Sequence, residues 1–240
     1  MLKKGGVAVK LIKRIFSLII IIIILILAVV IAGGWGKYKQ AVSLMPLEAA
    51  ALNIKTQESF TPIDEISKTF VNAMVAVEDR RFYKHKGIDF IGIVRAMKKN
   101  FEKKTFSEGG SSITQQLAKN IYFMGDDSLS RKIAETFVAN EIEKAFTKNE
   151  ILELYFNVIY YGSGNYNIAD ASKDYFGKKP DELTDYEATI LAGLPNAPSA
   201  YSLNSNPTLA KKRQKTVVEA MVSEKYLTRA EADKILSMQE

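Results

Sequence analysis

Residues 15–32 read IFSLIIIIIILILAVVIA, an apolar run of eighteen residues without a charged side chain. At about 1.5 Å of rise per residue, a helix of this length spans most of a hydrocarbon core that is about 30 Å thick. The run therefore predicts one transmembrane helix, which we place at residues 15–34. Trp35 and Tyr38, which follow it, suit the outer interface between lipid and water.

Basic residues flank this helix unequally. Five precede it within residues 1–14, whereas two, Lys37 and Lys39, follow it closely. Because Lys and Arg are retained on the cytoplasmic side, we predict a single-pass protein of the plasma (inner) membrane with a cytoplasmic N-terminal tail. The folded domain would then be extracytoplasmic, and periplasmic in a Gram-negative cell. The alternative is a cleaved signal peptide, which the length of the run and the poor cleavage site at residues 32–35 disfavour.

Helix-start signals recur in the rest of the chain. In one such signal, Ser or Thr is followed three residues later by Glu or Gln, so that side chain and backbone satisfy each other. It occurs at Ser112, Thr147, Thr184 and Thr228. Alternating patterns typical of strands are hard to find. We therefore expect a mainly α domain at residues 61–240, joined to the anchor by a juxtamembrane linker at residues 35–60. The absence of cysteine excludes disulfides, thiolate metal sites and a cysteine nucleophile.

Glu78 lies where an apolar helix face meets a polar cluster. A helix that we expect to open at Thr61 would place apolar side chains on one face, at Ile66, Phe70, Met74 and Val77. Glu78 follows, within EDRRFYKHKGID. Partial desolvation at the rim of this face would suit its carboxylate to act as a general base, and the alternative is a solvated carboxylate in a last turn. His85 is the only histidine, which excludes a histidine-rich metal site.

Two further stretches carry groups that bind phosphates. In EGGSSITQQLAKN, residues 108–120, two glycines precede a capping serine, and backbone N–H groups at such a helix start accept anions. The polar stripe expected on this helix comprises Ser112, Gln115, Gln116 and Lys119. In the second stretch, Arg131 and Lys132 share a helix face with Glu135 and could hold a pyrophosphate, alone or with a bridging divalent cation. The alternatives are a flexible loop with a solvated face, and a surface ion pair worth little.

Together these stretches resemble the family 51 glycosyltransferases, which include monofunctional transglycosylases and the polymerase domain of class A penicillin-binding proteins. The resemblance covers about residues 60–205. It rests on EDRRFYKHKGID, GGSSITQQLAKN, RKIAE with KNEILELYFNVIYYG, and LAGLPNAPSAY. It implies a lysozyme-like helical domain with a small membrane-associated jaw beside a cleft. One departure is Ser112, which stands where the family often has Thr and keeps the hydroxyl.

The resemblance also implies roles for single residues. Glu78 matches the family's general base, and Glu135 matches the glutamate that assists at the pyrophosphate. The predicted substrate-binding residues, which include Gln115 from the polar stripe, are Asp79, Phe82, His85, Ser112, Gln115, Gln116, Lys119, Asn120, Arg131 and Lys132. Mg²⁺ or Mn²⁺ bridging the pyrophosphate is the cofactor to consider, and no organic cofactor is expected.

The implied reaction is polymerisation of lipid II. Glu78 would take the proton from the 4-hydroxyl of the acceptor's N-acetylglucosamine while that oxygen attacks C1 of the donor's N-acetylmuramic acid. The anomeric centre would be inverted and undecaprenyl pyrophosphate released, with cationic side chains stabilising the leaving group. The basic amphipathic stretch at residues 91–106 would be the jaw that meets lipid headgroups, and the alternative is an ordinary core helix.

The expected partners are lipid II, the growing lipid-linked glycan strand, the membrane, and proteins of cell-wall synthesis or division, but no nucleic acid. One competing interpretation is a lytic enzyme of the same fold, which would lack the RKxxE element. Another is a non-catalytic scaffold of the wall-synthesis machinery, which would tolerate loss of Glu78. A class A penicillin-binding protein is a third possibility only if the chain is a fragment, because the roughly forty residues after Tyr201 leave no room for a transpeptidase domain and hold no Ser-x-x-Lys motif.

Overall fold

The computed structural model describes residues 4–103 and 109–238. Within these ranges the chain forms twelve α-helices and no β-strand, which confirms the mainly α prediction. The helices are α1 Lys4–Leu44, α2 Leu47–Lys55, α3 Lys68–Glu78, α4 Phe90–Lys103, α5 Ile113–Tyr122, α6 Leu129–Ala145, α7 Lys148–Phe156, α8 Ile168–Phe176, α9 Asp185–Leu191, α10 Pro198–Tyr201, α11 Pro207–Ser223 and α12 Arg229–Ser237. The ends of the predicted tail and jaw, residues 1–3 and 104–106, lie outside the described residues.

The N-terminal apolar run lies within α1, a continuous helix of 41 residues. Within Ile12–Leu44 an 18-residue window reaches a mean hydropathy of 3.7, and none of that window is buried. It belongs to the one helix, among those described, that is long and apolar enough to cross a membrane. The helix continues past residue 34, so the predicted linker at residues 35–60 contains the end of α1 and all of α2.

All four predicted capping boxes are present. In each, the side chain of the first residue accepts from the backbone N–H three residues on, and the returning Glu or Gln accepts from the backbone of the first residue. They begin α5, α7, α9 and α12. Since an N-cap side chain contributes about 1 kcal/mol, these helix starts are set largely by local sequence.

The helix α3 begins later than the sequence predicted. It does not open at Thr61 but at Lys68, with Ser67 as its N-cap. Ile66 is extended, with φ of −115° and ψ of 135°, and the Ser67 N–H donates to the Pro180 carbonyl oxygen at 3.0 Å. A hydrogen bond to a distant segment thus replaces the helical one that the local pattern suggested.

The core forms around α3. Phe70 and Met74 are fully buried, and the Phe70 ring meets Phe156 of α7 edge-on at 5.0 Å between centroids. The helices α9 and α11 pack against α3, and α5 packs against both α6 and α7. Because α3 is anchored by this apolar packing, its C-terminal residue Glu78 has a fixed position beside α5 and α11.

Candidate active site

Glu78 is the last residue of α3, and its side chain is 11% exposed. Its Oε2 accepts a hydrogen bond from Nε2 of Gln116 at 2.9 Å. Its Oε1 is buried and has no hydrogen-bond partner among the described residues, although Nη2 of Arg213 lies 3.7 Å away. One oxygen is therefore held in place while the other can receive a proton, which is the arrangement that a general base needs.

The orientation of Gln116 is set by Tyr155 of α7. The Tyr155 hydroxyl donates to Oε1 of Gln116 at 2.8 Å, which turns the amide N–H₂ toward Glu78. Burial, together with the negative charge of Glu78, raises the pKa of Tyr155 well above 10. The hydroxyl therefore stays protonated and remains a donor. Tyr155 is not among the site residues predicted from the sequence. Its only signal there is a polar tip within an apolar helix, where a buried hydroxyl needs a partner.

Asp79 joins two of the sequence motifs. It is the C-cap of α3 and is buried, and it lies 2.9 Å from Nε2 of His85. It also accepts from the backbone N–H of Ile113 at 3.0 Å, at the start of α5. Phe82 is fully buried, with its ring edge-on to His85. These three predicted residues are thus interior groups that hold the segment after Glu78 against α5.

The start of α5 is occupied by acceptors from the protein itself. The N–H groups of Ser112 and Gln115 bond within the capping box, and that of Ile113 bonds to Asp79. The Ser112 hydroxyl donates to the Gly87 carbonyl oxygen. The Asp79 carboxylate therefore takes the favourable anion position at this helix start.

The other predicted residues of α5 point in different directions. Gln115 is buried and donates to Oγ1 of Thr136 on α6 at 3.2 Å. Asn120 donates to the backbone oxygen of Gln116 at 2.8 Å, and Lys119 is exposed. The helix α5 therefore bonds to Glu78 on α3 through Gln116 and to α6 through Gln115.

Glu135 on α6 is completely buried, and cations hold both of its carboxylate oxygens. Arg131 bonds to Oε1, and Nζ of Lys132 lies 2.7 Å from Oε2. Lys132 also donates to Oγ of Ser111 at 2.6 Å, which links α6 to the segment before α5. The group carries one more positive charge than negative, and the Arg131 Nε is buried with no partner in the described part of the chain.

Arg213 is a site residue that sequence reasoning missed. It lies on α11 and brings a guanidinium to the free oxygen of Glu78. Its aliphatic stem passes Gly193, where a Cβ would lie 2.9 Å from Cγ of Arg213. The sequence offered one hint, a basic cluster at residues 211–215, but a basic cluster on a helix is usually solvated.

One group of side chains could hold a cation. The ligand atoms of Asp79, His85 and Asp89 lie within 4.8 Å of one another. Asp89 already contacts Nε of Arg81 at 3.1 Å. Burial alone would raise the pKa of Asp89, but hydrogen bonds from the Gly92 N–H and from Arg81 outweigh it and hold that pKa below its usual value. Since the Arg81 guanidinium already supplies positive charge to Asp89, these residues do not fit a metal cation without rearrangement.

Comparison with known proteins gives a consistent result. The model of the family described as Transglycosylase matches residues 47–222. A candidate transglycosylase of Cupriavidus necator is 47% identical over 174 residues, which are 72% of this chain and 75% of that protein. Penicillin-binding protein 1A of Neisseria lactamica is 43% identical over 181 residues, which are 75% of this chain and 23% of that protein. The chain thus spans less than a quarter of the length of that penicillin-binding protein.

A solved structure is also similar in sequence. The crystal structure of penicillin-binding protein 1A from Haemophilus influenzae is 34% identical in sequence over the matched residues. The match covers 53% of this chain and 16% of that protein's chain, with a TM-score of 0.38.

Proposed function

Since this chain belongs to the transglycosylase family, we propose that it polymerises lipid II into linear peptidoglycan glycan strands. The observation that carries the proposal is the Glu78 carboxylate, with Oε2 held by Gln116 and Oε1 buried and free. A carboxylate held in this way can take a proton without first having to rotate. We further propose that the N-terminus is cytoplasmic and that the catalytic domain lies outside the plasma membrane.

In the proposed reaction, Oε1 of Glu78 takes the proton of the acceptor's 4-hydroxyl. The bond from that oxygen to C1 of the donor's N-acetylmuramic acid forms as the bond from C1 to the pyrophosphate breaks, and the configuration at C1 is inverted. The electron pair of the broken bond leaves with undecaprenyl pyrophosphate. Nη2 of Arg213 lies 3.7 Å from Oε1 of Glu78, so a positive charge faces the oxygen that takes the proton.

We propose that the leaving pyrophosphate is held by Arg131 and Lys132. Glu135 neutralises one of the two charges and fixes both side chains on one face of α6. An ammonium has three N–H donors, and Glu135 and Ser111 account for two of those of Lys132. The remaining donor and the excess positive charge are available to a phosphate oxygen, and exposed Lys119 is proposed to add a further charge.

The proposal is tested by incubating the detergent-solubilised full chain with radiolabelled lipid II and separating the products by size. Long polymer that lysozyme digests is the expected result. Folded protein that binds lipid II without making polymer would favour a scaffold, and shortening of added glycan strands would favour a lytic enzyme. We also propose that Mg²⁺ or Mn²⁺, when bound, would supply further positive charge to the pyrophosphate, and parallel reactions with either ion or with a chelator test this.

The Tyr155→Phe variant tests how the base is positioned. It keeps the ring but frees the Gln116 amide to rotate, so we expect the polymerisation rate to fall roughly tenfold. The free energy of unfolding should fall by about 1 kcal/mol. The matched control is Tyr175→Phe, which removes a hydroxyl bonded to the Tyr161 carbonyl oxygen at 3.1 Å. Equal rates for the two variants would contradict the role of Tyr155.

We also propose that α4 is the jaw that enters the membrane surface. One face of it carries apolar side chains that are 66–87% exposed, namely Phe90, Val94, Met97 and Phe101. Lys98 lies beside this face and is exposed. Exposed apolar residues beside a cation are typical of a helix that lies in the lipid interface.

The cysteine-free chain allows the depth of this helix to be measured. A fluorophore attached to Phe101→Cys should be quenched by lipids that carry a quencher near the headgroup, because Phe101 is the most exposed residue of the apolar face. The control is Glu102→Cys, on the same helix but off that face. We expect quenching to be roughly twofold or more stronger at position 101, because the two side chains diverge by about 100° around the helix and only Phe101 lies on the apolar face. Equal quenching would contradict the proposal.

A further inference from the structure

The outer end of α1 packs on α6 with no room for a side chain at Gly34. A Cβ there would lie 2.5 Å from Cβ of Ile133 and 2.8 Å from the backbone oxygen of Ser130. Both atoms belong to the helix framework, so neither can move aside without moving α6. At Gly36, two residues further, an added Cβ would meet nothing within 4 Å. The close approach of the two helices therefore depends on Gly34 in particular.

Two more contacts fix the register of this interface. The ring of Trp35 meets Phe137 of α6 edge-on, with centroids 4.9 Å apart. Lys37 bonds to Asp126 and, at 3.1 Å, to Oγ of Ser128, the N-cap of α6. The Lys37 ammonium, together with the Ser128 N–H, holds the pKa of Asp126 well below its usual range.

The two helices run side by side in the same direction. Gly34 meets the first turns of α6, Tyr38 lies 5.6 Å from Phe137 in the middle, and Val42 lines a cavity together with Ala145 at the end. Because α1 leaves the apolar segment near residue 32, the N-terminus of α6 is its membrane-proximal end. At about 1.5 Å per residue, Gly34 lies only about 3 Å beyond residue 32 along the helix axis.

The segment that leads from α5 into the first residue of α6 presents apolar side chains at the same level. Met124 is 60% exposed and Leu129 is 76% exposed, on either side of Asp126, which is bonded to the anchor. Exposed apolar groups beside a transmembrane helix lose contact with water when they enter the lipid interface. Arg131 and Lys132 follow Leu129 directly in the sequence.

We propose that α1 and α6 form one rigid unit that holds Arg131 and Lys132 at the level of the lipid headgroups. This rests on the proposed function, because the pyrophosphate of a lipid-linked donor lies at that level. Gly34 is then a positioning residue that acts through α6. The anchor sets the height of the cation pair above the membrane in addition to tethering the domain.

The first test compares Gly34→Ala with Gly36→Ala in the full chain. Alanine favours a helix more than glycine does, so a loss at position 34 cannot come from a weaker helix. We expect kcat/KM for lipid II to fall roughly tenfold or more in Gly34→Ala, mainly through a higher KM, and to stay within about twofold in Gly36→Ala. Equal kinetics for the two variants would overturn the proposal.

A disulfide tests the interface without relying on activity. A Cβ at Gly33 would lie 3.5 Å from Cβ of Ser130, within the usual range for a disulfide, and the chain has no other cysteine. The Gly33→Cys, Ser130→Cys double variant should cross-link on oxidation, and the oxidised protein should polymerise as fast as the reduced one. Failure to cross-link, or loss of polymerisation on oxidation, would overturn the proposal.

The height of α6 is measured with a fluorophore in lipid vesicles. A probe at Leu129→Cys should be quenched by headgroup-level quenchers, whereas one at Glu141→Cys, three turns further along α6, should not. Equal quenching at the two positions would overturn the proposal. If the natural sequence makes no polymer, the proposed function fails, while the cross-link and the quenching still decide whether the rigid unit exists.

Discussion

The Glu78→Gln variant is expected to polymerise lipid II at least about 10³-fold more slowly than the natural sequence, within the range lost when a general base is removed. The amide oxygen can replace Oε2 and accept from Gln116, which leaves an N–H₂ group where the free Oε1 lies. That group cannot take a proton from the acceptor's hydroxyl. The loss therefore arises in the chemical step and not in the fold.

The matched control for this experiment is Glu65→Gln, the same substitution at an exposed position before α3. We expect Glu65→Gln to keep its rate, and both variants to bind lipid II and to unfold within a few degrees of the natural sequence. Polymer length resolved on gels, lipid II binding and the melting temperature are the three measurements. A rate for Glu78→Gln within tenfold of the natural one would mean that another group is the base.

The Glu135→Gln variant is expected to lose both stability and activity. Its side chain is fully buried between two cations, and removing the charge leaves the Arg131 and Lys132 cations without a counter-charge in a partly buried site. Removing one partner of a buried ion pair costs about 3 kcal/mol of the free energy of unfolding. Because the cations are no longer held on one face, we also expect the polymerisation rate to fall about 10²-fold or more.

The control on the same helix is Glu141→Gln. Glu141 lies 3.1 Å from Lys144 in an exposed ion pair, which contributes less than about 1 kcal/mol. Denaturant unfolding in detergent gives the stability of both variants, and activity is measured well below their melting temperatures so that unfolding does not limit the rate. If the Glu135 and Glu141 variants were equally stable, the buried cluster would contribute no more than a surface pair.

Between these two carboxylates, α5 acts as a common support. Gln116 bonds to Glu78, Gln115 bonds to α6, and the segment before α5 bonds to Lys132 through Ser111. The glutamine pair in TQQ could be read from the sequence as a polar stripe. The sequence could not show that the two glutamines bond to two different helices, since adjacent side chains on a helix diverge by about 100° and their partners depend on packing.

Local sequence determined those features whose physics acts within a few residues. The apolar run specified a helix long and apolar enough to cross a membrane, because its length matches a bilayer. The capping boxes specified four helix starts because their partners are three residues apart. The motifs identified the family. Residues matched through them remain predictions until the variants are measured.

Tertiary structure decided the features that join distant residues. The helix α3 starts at Lys68, and not at Thr61 as the sequence predicted, because the Ser67 N–H donates to the Pro180 carbonyl oxygen. Arg213 lies close to Glu78 although the two residues are 135 positions apart in the sequence. Gly34 contacts Ile133, which is 99 positions away. No local pattern encodes such pairs, because each depends on two helices packing closely enough for particular atoms to meet.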